Sequence, residues 1–195
     1  MRADPRDEFA VLFVCTGNIC RSPVAEGIAR RELARYPGVA LRVGSAGSHA
    51  LEGNPAASRM LAAASARGVD LQRHYARELT RRRVRAAGLI LCMAEEHRPL
   101  VLAYDRSAAG RTFVLAAFAR AASQWEWLAK SPAELVDLAA EHASRTLPGD
   151  DIDDPLGHPP EAYAACAARL DTLVTPVMTA LARTLPVGPA DRQAP

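Results

Sequence analysis

The chain has 195 residues, of which 49% are hydrophobic and 24% are charged, a balance typical of a soluble globular domain. Its formal net charge of +2 is too small to indicate nucleic-acid or membrane binding, and no apolar run approaches the ~20 residues of a transmembrane helix. The four cysteines lack zinc-type spacing and the first residues lack the apolar stretch of a secretory signal. We therefore expect a cytoplasmic protein with reduced thiols and with no metal or cofactor.

Strands and helices are predicted to alternate along the chain. After a loose charged leader at 1–8, the predicted strands lie at 10–14, 40–43, 89–93 and 112–115, with a turn at 44–47. The predicted helices lie at 23–36, 55–67 and 95–103, with one or two more in the segment 116–149. A closing helix at 159–184, kinked or split by Pro176, precedes a mobile tail at 185–195.

This alternation predicts one α/β domain at 9–184, built on a parallel sheet with helices on both faces. Ligands of such sheets bind at the carboxyl ends of the strands, and the first strand brings Cys15 to such an end. The extra helical segment at 116–149 either packs around the sheet edge or, through Trp125 and Trp127, forms a substrate or partner surface.

A phosphate-binding loop is indicated between the first strand and the first helix, in the sequence Val11-Leu-Phe-Val-Cys-Thr-Gly-Asn-Ile-Cys-Arg-Ser-Pro23. Pro23 suits the first turn of a helix, so the backbone N–H groups before it are unpaired at a helix N-terminus, where an anion is favoured. Gly17 and Asn18 tolerate the left-handed backbone that a concave loop needs. The alternative is a structural cysteine buried at a strand end.

The residue types in this loop point to covalent chemistry on a phosphoryl group. A thiol at a helix N-terminus beside an arginine is commonly a thiolate at neutral pH, so Cys15 is the candidate nucleophile. Arg21 can hold two phosphoryl oxygens, and the hydroxyl of Ser22 can donate to the sulfur. The expected phosphate-binding residues are Thr16, Gly17, Asn18, Ile19, Cys20, Arg21 and Ser22.

Residues 15–27, Cys-Thr-Gly-Asn-Ile-Cys-Arg-Ser-Pro-Val-Ala-Glu-Gly, resemble without a gap the signature of the low-molecular-weight protein-tyrosine phosphatases. That family also includes protein-arginine phosphatases and thioredoxin-linked arsenate reductases. The resemblance implies a four-stranded, flavodoxin-like sheet. It also implies phosphomonoester hydrolysis through a cysteinyl-phosphate intermediate, with inorganic phosphate as the product.

The general acid is expected in the loop Asp150-Asp-Ile-Asp-Asp-Pro-Leu-Gly157. In the family that the chain resembles, an Asp-Pro pair in a late loop supplies this acid, which implies Asp154. Asp153 and Asp151 are weaker candidates, and the loop could simply be a solvated turn before the next helix. The resemblance also implies that Asn18, Ser22, Ser45 and His74 support the phosphate loop, although Ser45 could be ordinary turn chemistry and His74 a surface histidine.

The substrate is suggested by the expected pocket wall, Ile19, Leu51 and Leu156. Tyrosine-specific family members usually carry a branched apolar residue at the position of Ile19, whereas protein-arginine phosphatases carry threonine, so phosphotyrosine is favoured. Leu51 is similar to a rim leucine of bacterial members that act on polysaccharide-synthesis tyrosine kinases. Leu156 replaces an aromatic residue usual in the family and leaves room for a small-metabolite phosphomonoester.

Two alternative functions and the role of Cys20 remain open. Arsenate reductase is disfavoured because Cys92 has no second cysteine in its segment to pass a disulfide along. A non-catalytic phospho-binding protein would be supported if the Asp154 loop pointed away from Cys15. Cys20 either packs the loop or forms a reversible protective disulfide with Cys15.

Overall fold

In the computed structural model, which describes residues 8–142 and 146–185, four parallel strands form one sheet in the order β2-β1-β3-β4. The strands are β1 Phe9–Cys15, β2 Leu41–Gly47, β3 Leu89–Cys92 and β4 Thr112–Val114. The inner strand β1 is buried from Val11 to Cys15, which explains its unbroken apolar run. The flavodoxin-like four-stranded sheet expected from the sequence is confirmed.

Helices cover both faces of this sheet, as predicted. Within the described residues they are α1 Arg21–Leu33, α2 Ser58–Ser65, α3 Arg81–Ala86, α4 His97–Tyr104, α5 Leu115–Trp125, α6 Pro132–His142 and α7 Pro160–Arg183, with a 3-10 helix at Arg106–Arg111. Alternate residues of β1 enter two separate cores. Phe13 packs in the larger core with α1, α5 and α7, whereas Leu12 packs in the smaller one with α3 and α4.

The turn predicted at 44–47 is wrong, because β2 continues through Gly47. Gly47 pairs with Cys15 in the sheet, and its outer edge exchanges backbone hydrogen bonds with Arg77 and Leu79. A Cβ at this position would lie 2.5 Å from the carbonyl oxygen of Thr16. The glycine is therefore required for close approach of two backbones, not for a turn.

The remaining boundaries differ from the predictions in smaller ways. The segment 116–149 contains two helices, α5 and α6, with α5 packed against α7. Trp125 stacks on His142 with ring centroids 4.3 Å apart, whereas Trp127 is exposed. Pro176 does not split α7, because the contacts of that helix with α1, α2 and α5 hold it as one element across the missing backbone donor.

The predicted leader and tail lie outside the described residues except for Glu8, which pairs with Arg42 at 2.9 Å, and Leu185. The domain bounds 9–184 therefore stay a prediction. Among the described helices, none is long and apolar enough to cross a membrane.

A glycine in α1 provides a test of how closely this helix packs. A Cβ on Gly27 would overlap Cγ1 of Val69 and lie 3.1 Å from Cδ2 of Leu71, both of them buried residues. We expect Gly27→Ala to lower the free energy of unfolding by about 1–3 kcal/mol, despite the higher helix propensity of alanine. Urea unfolding followed by circular dichroism measures the change.

The matched control for this substitution is Gly110→Ala, because an added Cβ there meets no heavy atom within 4 Å. Its unfolding midpoint should stay close to that of the parent chain. Equal midpoints for the two variants would show that α1 and Val69 have room for the added methyl group.

Candidate active site

The loop between β1 and α1 is held by its carbonyl groups. Five consecutive carbonyl oxygens, from Cys15 to Ile19, accept hydrogen bonds from the surrounding scaffold at 2.7–3.1 Å. The donors are the amides of Ser48, His49, Leu51 and Ala57 and the ring Nε2 of His74. Within the described residues, the amides from Thr16 to Arg21 have no acceptor. Because the N–H of a peptide unit points away from its C=O, these amides form a concave set of donors suited to an anion.

Asn18 is the centre of this loop. Its φ of 53° is the only positive value for a non-glycine residue in the described chain, and its side chain is fully buried. The amide group of Asn18 donates to Ser22 Oγ at 2.8 Å and to Ser45 Oγ at 2.9 Å, while its Oδ1 accepts from the backbone N–H of Arg77 at 2.8 Å. These three bonds fix the left-handed conformation that gives the loop its concave shape.

Ser22 connects this network to the nucleophile candidate. Its Oγ lies 2.9 Å from Cys15 Sγ, and both residues are buried. Because Ser22 Oγ already accepts from Asn18, its own proton is available for the sulfur, which is closer than the alternative acceptor, the Ala46 carbonyl at 3.5 Å. A hydroxyl donated to sulfur stabilises the thiolate form of a cysteine.

Three residues of the network, Glu26, Arg30 and Arg77, were missed by the sequence analysis. Ser45 donates to Oε2 of the buried Glu26 at 2.5 Å, and Arg77 Nη2 binds the same oxygen at 2.8 Å. Arg30 pairs with the other carboxylate oxygen of Glu26 at 2.5 Å. The carboxylate is therefore paired with two guanidinium groups, and such pairing offsets the cost of burying its charge. The only sequence signal for Glu26 was a charged residue on the apolar face of α1.

His74 is half-buried and supports the loop directly. Its Nε2 lies 2.7 Å from the carbonyl oxygen of Asn18, which can only accept, so Nε2 donates. Burial lowers the pKa of His74, and the hydrogen bond to Asn18 opposes this effect only in part. The neutral ring with its proton on Nε2 is therefore the form that holds the loop at neutral pH.

Arg21 and Asp154 meet at the mouth of the loop. The guanidinium is 3% exposed, and its Nη2 lies 2.5 Å from Oδ2 of Asp154, whose side chain is 40% exposed. Arg21 Nη1 donates to the carbonyl oxygen of Ile152 at 3.1 Å, so the acidic loop fixes the guanidinium from a second side. Among the described residues, Arg21 Nε is buried without an acceptor, so its N–H is available to a bound oxyanion.

Two other aspartates of the acidic loop, Asp150 and Asp151, have structural contacts. Asp150 forms a two-point ion pair with Arg120 at 2.7 and 3.0 Å, and this hydrogen bonding holds the pKa of Asp150 below its usual value. Asp151 accepts from the backbone N–H of Glu95 at 2.8 Å. The loop is thus clamped at its start, and among its four carboxylates Asp154 is the one that contacts Arg21.

A buried histidine that the sequence analysis did not identify also touches the loop. His97, at the start of α4, is 1% exposed and lies 3.0 Å from Thr16 Oγ1 through Nε2. Its Nδ1 accepts from the backbone N–H of Ala94 at 3.1 Å. Burial lowers the pKa of His97 and the charge of Arg21 lowers it further, so the ring is neutral and Nε2 donates to Thr16. Thr16 Oγ1 also accepts from Arg21 Nη2 at 3.2 Å.

The predicted pocket wall is divided between buried and exposed positions. Ile19 is 9% exposed, whereas Leu51 and Leu156 are 48% and 49% exposed. Leu51 approaches the loop, since its N–H donates to the carbonyl oxygen of Gly17 at 3.1 Å. Leu156 follows the acid candidate, and its N–H donates to Oδ1 of Asp154 at 3.2 Å. Apolar surface is therefore available on two sides of the loop.

The remaining thiols are buried and free. Burial raises the pKa of Cys20 to about 12, and the charge of Asp154 adds to this effect. Burial likewise raises the pKa of Cys166 to about 12 and raises that of Cys92. Within residues 8–142 and 146–185, no group of three His, Cys, Asp or Glu side chains is placed to hold a metal ion.

Comparison with known proteins is consistent with this geometry. The sequence profile described as low molecular weight phosphotyrosine protein phosphatase matches residues 10–142, which include the loop but end before the acidic loop. The low molecular weight protein-tyrosine-phosphatase Etp of Escherichia coli strain K12 is 42% identical over 105 residues, which are 54% of this chain and 68% of Etp. A protein-arginine-phosphatase of Geobacillus stearothermophilus is 28% identical over 166 residues, which are 85% of this chain and 91% of that protein.

Among solved structures, the low molecular weight protein tyrosine phosphatase from T. tengcongensis superposes with a TM-score of 0.69 at 30% identity. The match covers 88% of this chain and 99% of that structure. On the profile match across more than half of its length, the chain belongs to the low molecular weight phosphotyrosine protein phosphatase family, whose members are cysteine-dependent hydrolases.

Proposed function

We propose that this protein removes phosphate from phosphotyrosine in protein substrates through a cysteinyl-phosphate intermediate. The observation that carries the proposal is the juxtaposition of three groups. Cys15 is hydrogen-bonded to Ser22, the amides of 16–21 in the same loop have no acceptor among the described residues, and Arg21 contacts Asp154. A nucleophile, a set of oxyanion donors and an acid within one loop cluster are the parts that phosphoryl transfer needs.

In the first step, the sulfur of Cys15 attacks phosphorus and the bond to the tyrosine oxygen breaks. The loop amides and Arg21 hold the equatorial oxygens, where charge is present throughout the transfer. Asp154 donates its proton to the leaving oxygen, which would otherwise depart as a phenolate. The contact of Asp154 with Arg21 places this carboxyl group at the mouth of the loop that would hold the phosphoryl group.

In the second step, the same carboxylate takes a proton from water, and the water oxygen attacks phosphorus. The phosphorus–sulfur bond breaks, and inorganic phosphate and the Cys15 thiolate are released. The Ser22 hydroxyl, oriented by Asn18, stabilises the departing sulfur. The hydrogen bonds from His74 and Asn18 hold the loop in one shape through both steps.

Phosphotyrosine is favoured over phosphoarginine by the apolar character of the wall. Ile19 in the loop and Leu51 and Leu156 beside it offer surface for an aromatic ring. Etp, a protein-tyrosine phosphatase by name, is more similar in the matched region than the protein-arginine-phosphatase is, at 42% against 28% identity. Phosphoarginine is the second candidate, because the arginine phosphatase aligns with more of this chain than Etp does. Small-metabolite phosphomonoesters are a third, because Leu156 leaves space where the family usually carries an aromatic residue.

The partner implied by this substrate is a tyrosine-phosphorylated protein. We extend the proposal to a bacterial tyrosine kinase of polysaccharide synthesis, on the similarity of Leu51 to the rim leucine of family members that act on such kinases. Phosphate release from a purified kinase of this type, with phosphorylated tyrosines in its tail, tests whether the kinase is a substrate. This test is independent of the tests of the cysteinyl-phosphate mechanism.

Replacement of the nucleophile should separate binding from turnover. Cys15→Ser removes the sulfur but leaves the amides and Arg21 in place, so we expect turnover of p-nitrophenyl phosphate to fall below detection. Inorganic phosphate or vanadate should still bind, as measured by isothermal titration calorimetry. Substantial residual turnover would mean that another group attacks phosphorus.

Replacement of the acid should depend on the leaving group. We expect Asp154→Asn to lower kcat on a phosphotyrosine peptide by roughly 10²–10⁴-fold. The loss should be smaller for p-nitrophenyl phosphate, because p-nitrophenolate is a better leaving group and depends less on protonation. Asp153→Asn is the matched control and should be close to the parent enzyme. A reversed result would assign the acid to Asp153.

The substrate class is tested by phosphate release from a phosphotyrosine peptide and a phosphoarginine peptide of the same sequence, with Cys15→Ser as the blank. We expect a higher kcat/KM for phosphotyrosine, and Ile19→Thr should reduce that preference. A preference of the parent enzyme for phosphoarginine would contradict the substrate proposed here while leaving the cysteine chemistry intact. Activity on neither peptide, with vanadate still bound, would favour a small metabolite.

A further inference from the structure

A basic groove lies on the face of the sheet covered by α3, away from the mouth of the phosphate loop. Its volume is about 430 Å³. The groove is lined by four arginines, Arg42, Arg77, Arg82 and Arg83, and by an apolar floor of Ala10, Val11, Leu12, Val43, Gly44, Ala86 and Ala87. The lining contains no carboxylate among the described residues, whereas a second cavity that Arg77 also lines includes Glu26 and Asp70.

The charges of this groove are only partly neutralised by the protein. Within the described chain, the guanidinium groups of Arg82 and Arg83 form no salt bridge, and Arg77 Nε is without an acceptor. Arg77 pairs through Nη2 with Glu26, and Arg42 pairs with Glu8. Burial lowers the pKa of Arg83, and the neighbouring charges of Arg77 and Arg82 lower it further. Three arginines close enough to repel one another are stabilised by a bound anion.

We propose that this groove, defined by Arg42, Arg77, Arg82 and Arg83, binds an acidic segment of the protein substrate while the phosphotyrosine occupies the loop at Cys15. The inference rests on the proposed function, since it names a feature of the same substrate. The arginine forks pair with carboxylates, and the open floor at Gly44, where an added Cβ meets nothing within 4 Å, admits a peptide backbone.

The position of the groove sets the spacing between the two parts of the substrate. Its floor at Ala10 to Leu12 belongs to the same strand that ends at Cys15, three to five residues further on. At ~3.3 Å per residue, the groove lies about 10–17 Å below the nucleophile along the strand. A peptide that runs around the β2 edge therefore needs about six or more residues between the phosphotyrosine and the acidic segment.

An acidic peptide is favoured over a compact phosphate-bearing molecule by how the arginines are distributed. Arg42 comes from β2 and Arg82 and Arg83 come from α3, so they border the groove along two different elements. A single phosphate group is better matched by several donors converging on one point, as in the loop at 16–21. Separate carboxylates along an extended chain match separate guanidinium groups.

The test compares two phosphotyrosine peptides as substrates of the 195-residue protein. One carries four Asp or Glu residues beginning eight residues from the phosphotyrosine, and the other carries Asn or Gln at the same places. We expect a lower KM for the acidic peptide by roughly 3- to 10-fold at low salt, with similar kcat, and a smaller difference at 0.5 M NaCl.

The variant Arg82→Gln with Arg83→Gln should raise the KM of the acidic peptide to that of the neutral one and leave p-nitrophenyl phosphate turnover unchanged. Arg81→Gln is the matched control, because Arg81 lies on the same helix and has the same charge but does not line the groove. It should retain the preference for the acidic peptide. Equal effects of Arg81→Gln and the double variant would mean general charge attraction and overturn a defined groove.

Binding is measured separately from catalysis with Cys15→Ser and a fluorescent acidic peptide that lacks phosphotyrosine. Fluorescence anisotropy should show binding that the Arg82→Gln, Arg83→Gln changes weaken and Arg81→Gln does not.

If the parent enzyme hydrolyses both peptides with the same KM, the groove proposal fails and the phosphatase proposal stands. If neither peptide is hydrolysed, the proposed function fails, and anisotropy still decides whether the groove takes an acidic chain. Displacement of the peptide by ATP at far lower concentration would assign the groove to a small phosphate-bearing ligand instead.

Discussion

The phosphate loop depends on an unusual division of its backbone groups, because its amides are kept without protein acceptors while its carbonyls are bound. A buried N–H without a partner costs on the order of 1–3 kcal/mol, so a loop that collects several of them is unstable alone. The scaffold compensates by supplying a donor to each carbonyl from Cys15 to Ile19. These donors come from the segment after β2 and from His74, which explains why β2 must approach the loop as closely as Gly47 allows.

The side chain of Asn18 transmits this support to the nucleophile. It holds the loop in a left-handed turn, orients Ser22 toward Cys15, and is itself fixed by Ser45. Ser45 in turn donates to Glu26, whose buried charge is balanced by arginines at the surface. Networks of this kind are strong only when every member is satisfied.

Local sequence was sufficient for most of the elements and for the loop, and insufficient for contacts between distant segments. The apolar run of β1 predicts a buried strand, and the short spacing from Cys15 to Ser22 predicts the phosphate loop. His97 carries none, because its contact with Thr16 joins residues 81 positions apart and its burial depends on where α4 begins. The Gly-Ser-Ala-Gly sequence ending at Gly47 suggested a turn, and only the pairing of β2 with β1 shows that it is strand.

Arg77 supports the loop through its main chain and lines the basic groove with its side chain, and these two parts of the residue act separately. Its backbone N–H holds Asn18 Oδ1, and its carbonyl accepts from Gly47, so the main chain is fixed by the loop and by β2. Its guanidinium binds Glu26 through Nη2 alone. The side chain can therefore turn toward an acidic segment without loss of the backbone bonds that shape the loop. Glu26 keeps its contact with Arg30 when this happens, so its buried charge stays paired. Substrate contact at the groove is therefore compatible with an intact phosphate loop. A site that used the main chain of Arg77 would instead compete with the hydrogen bonds that shape the loop.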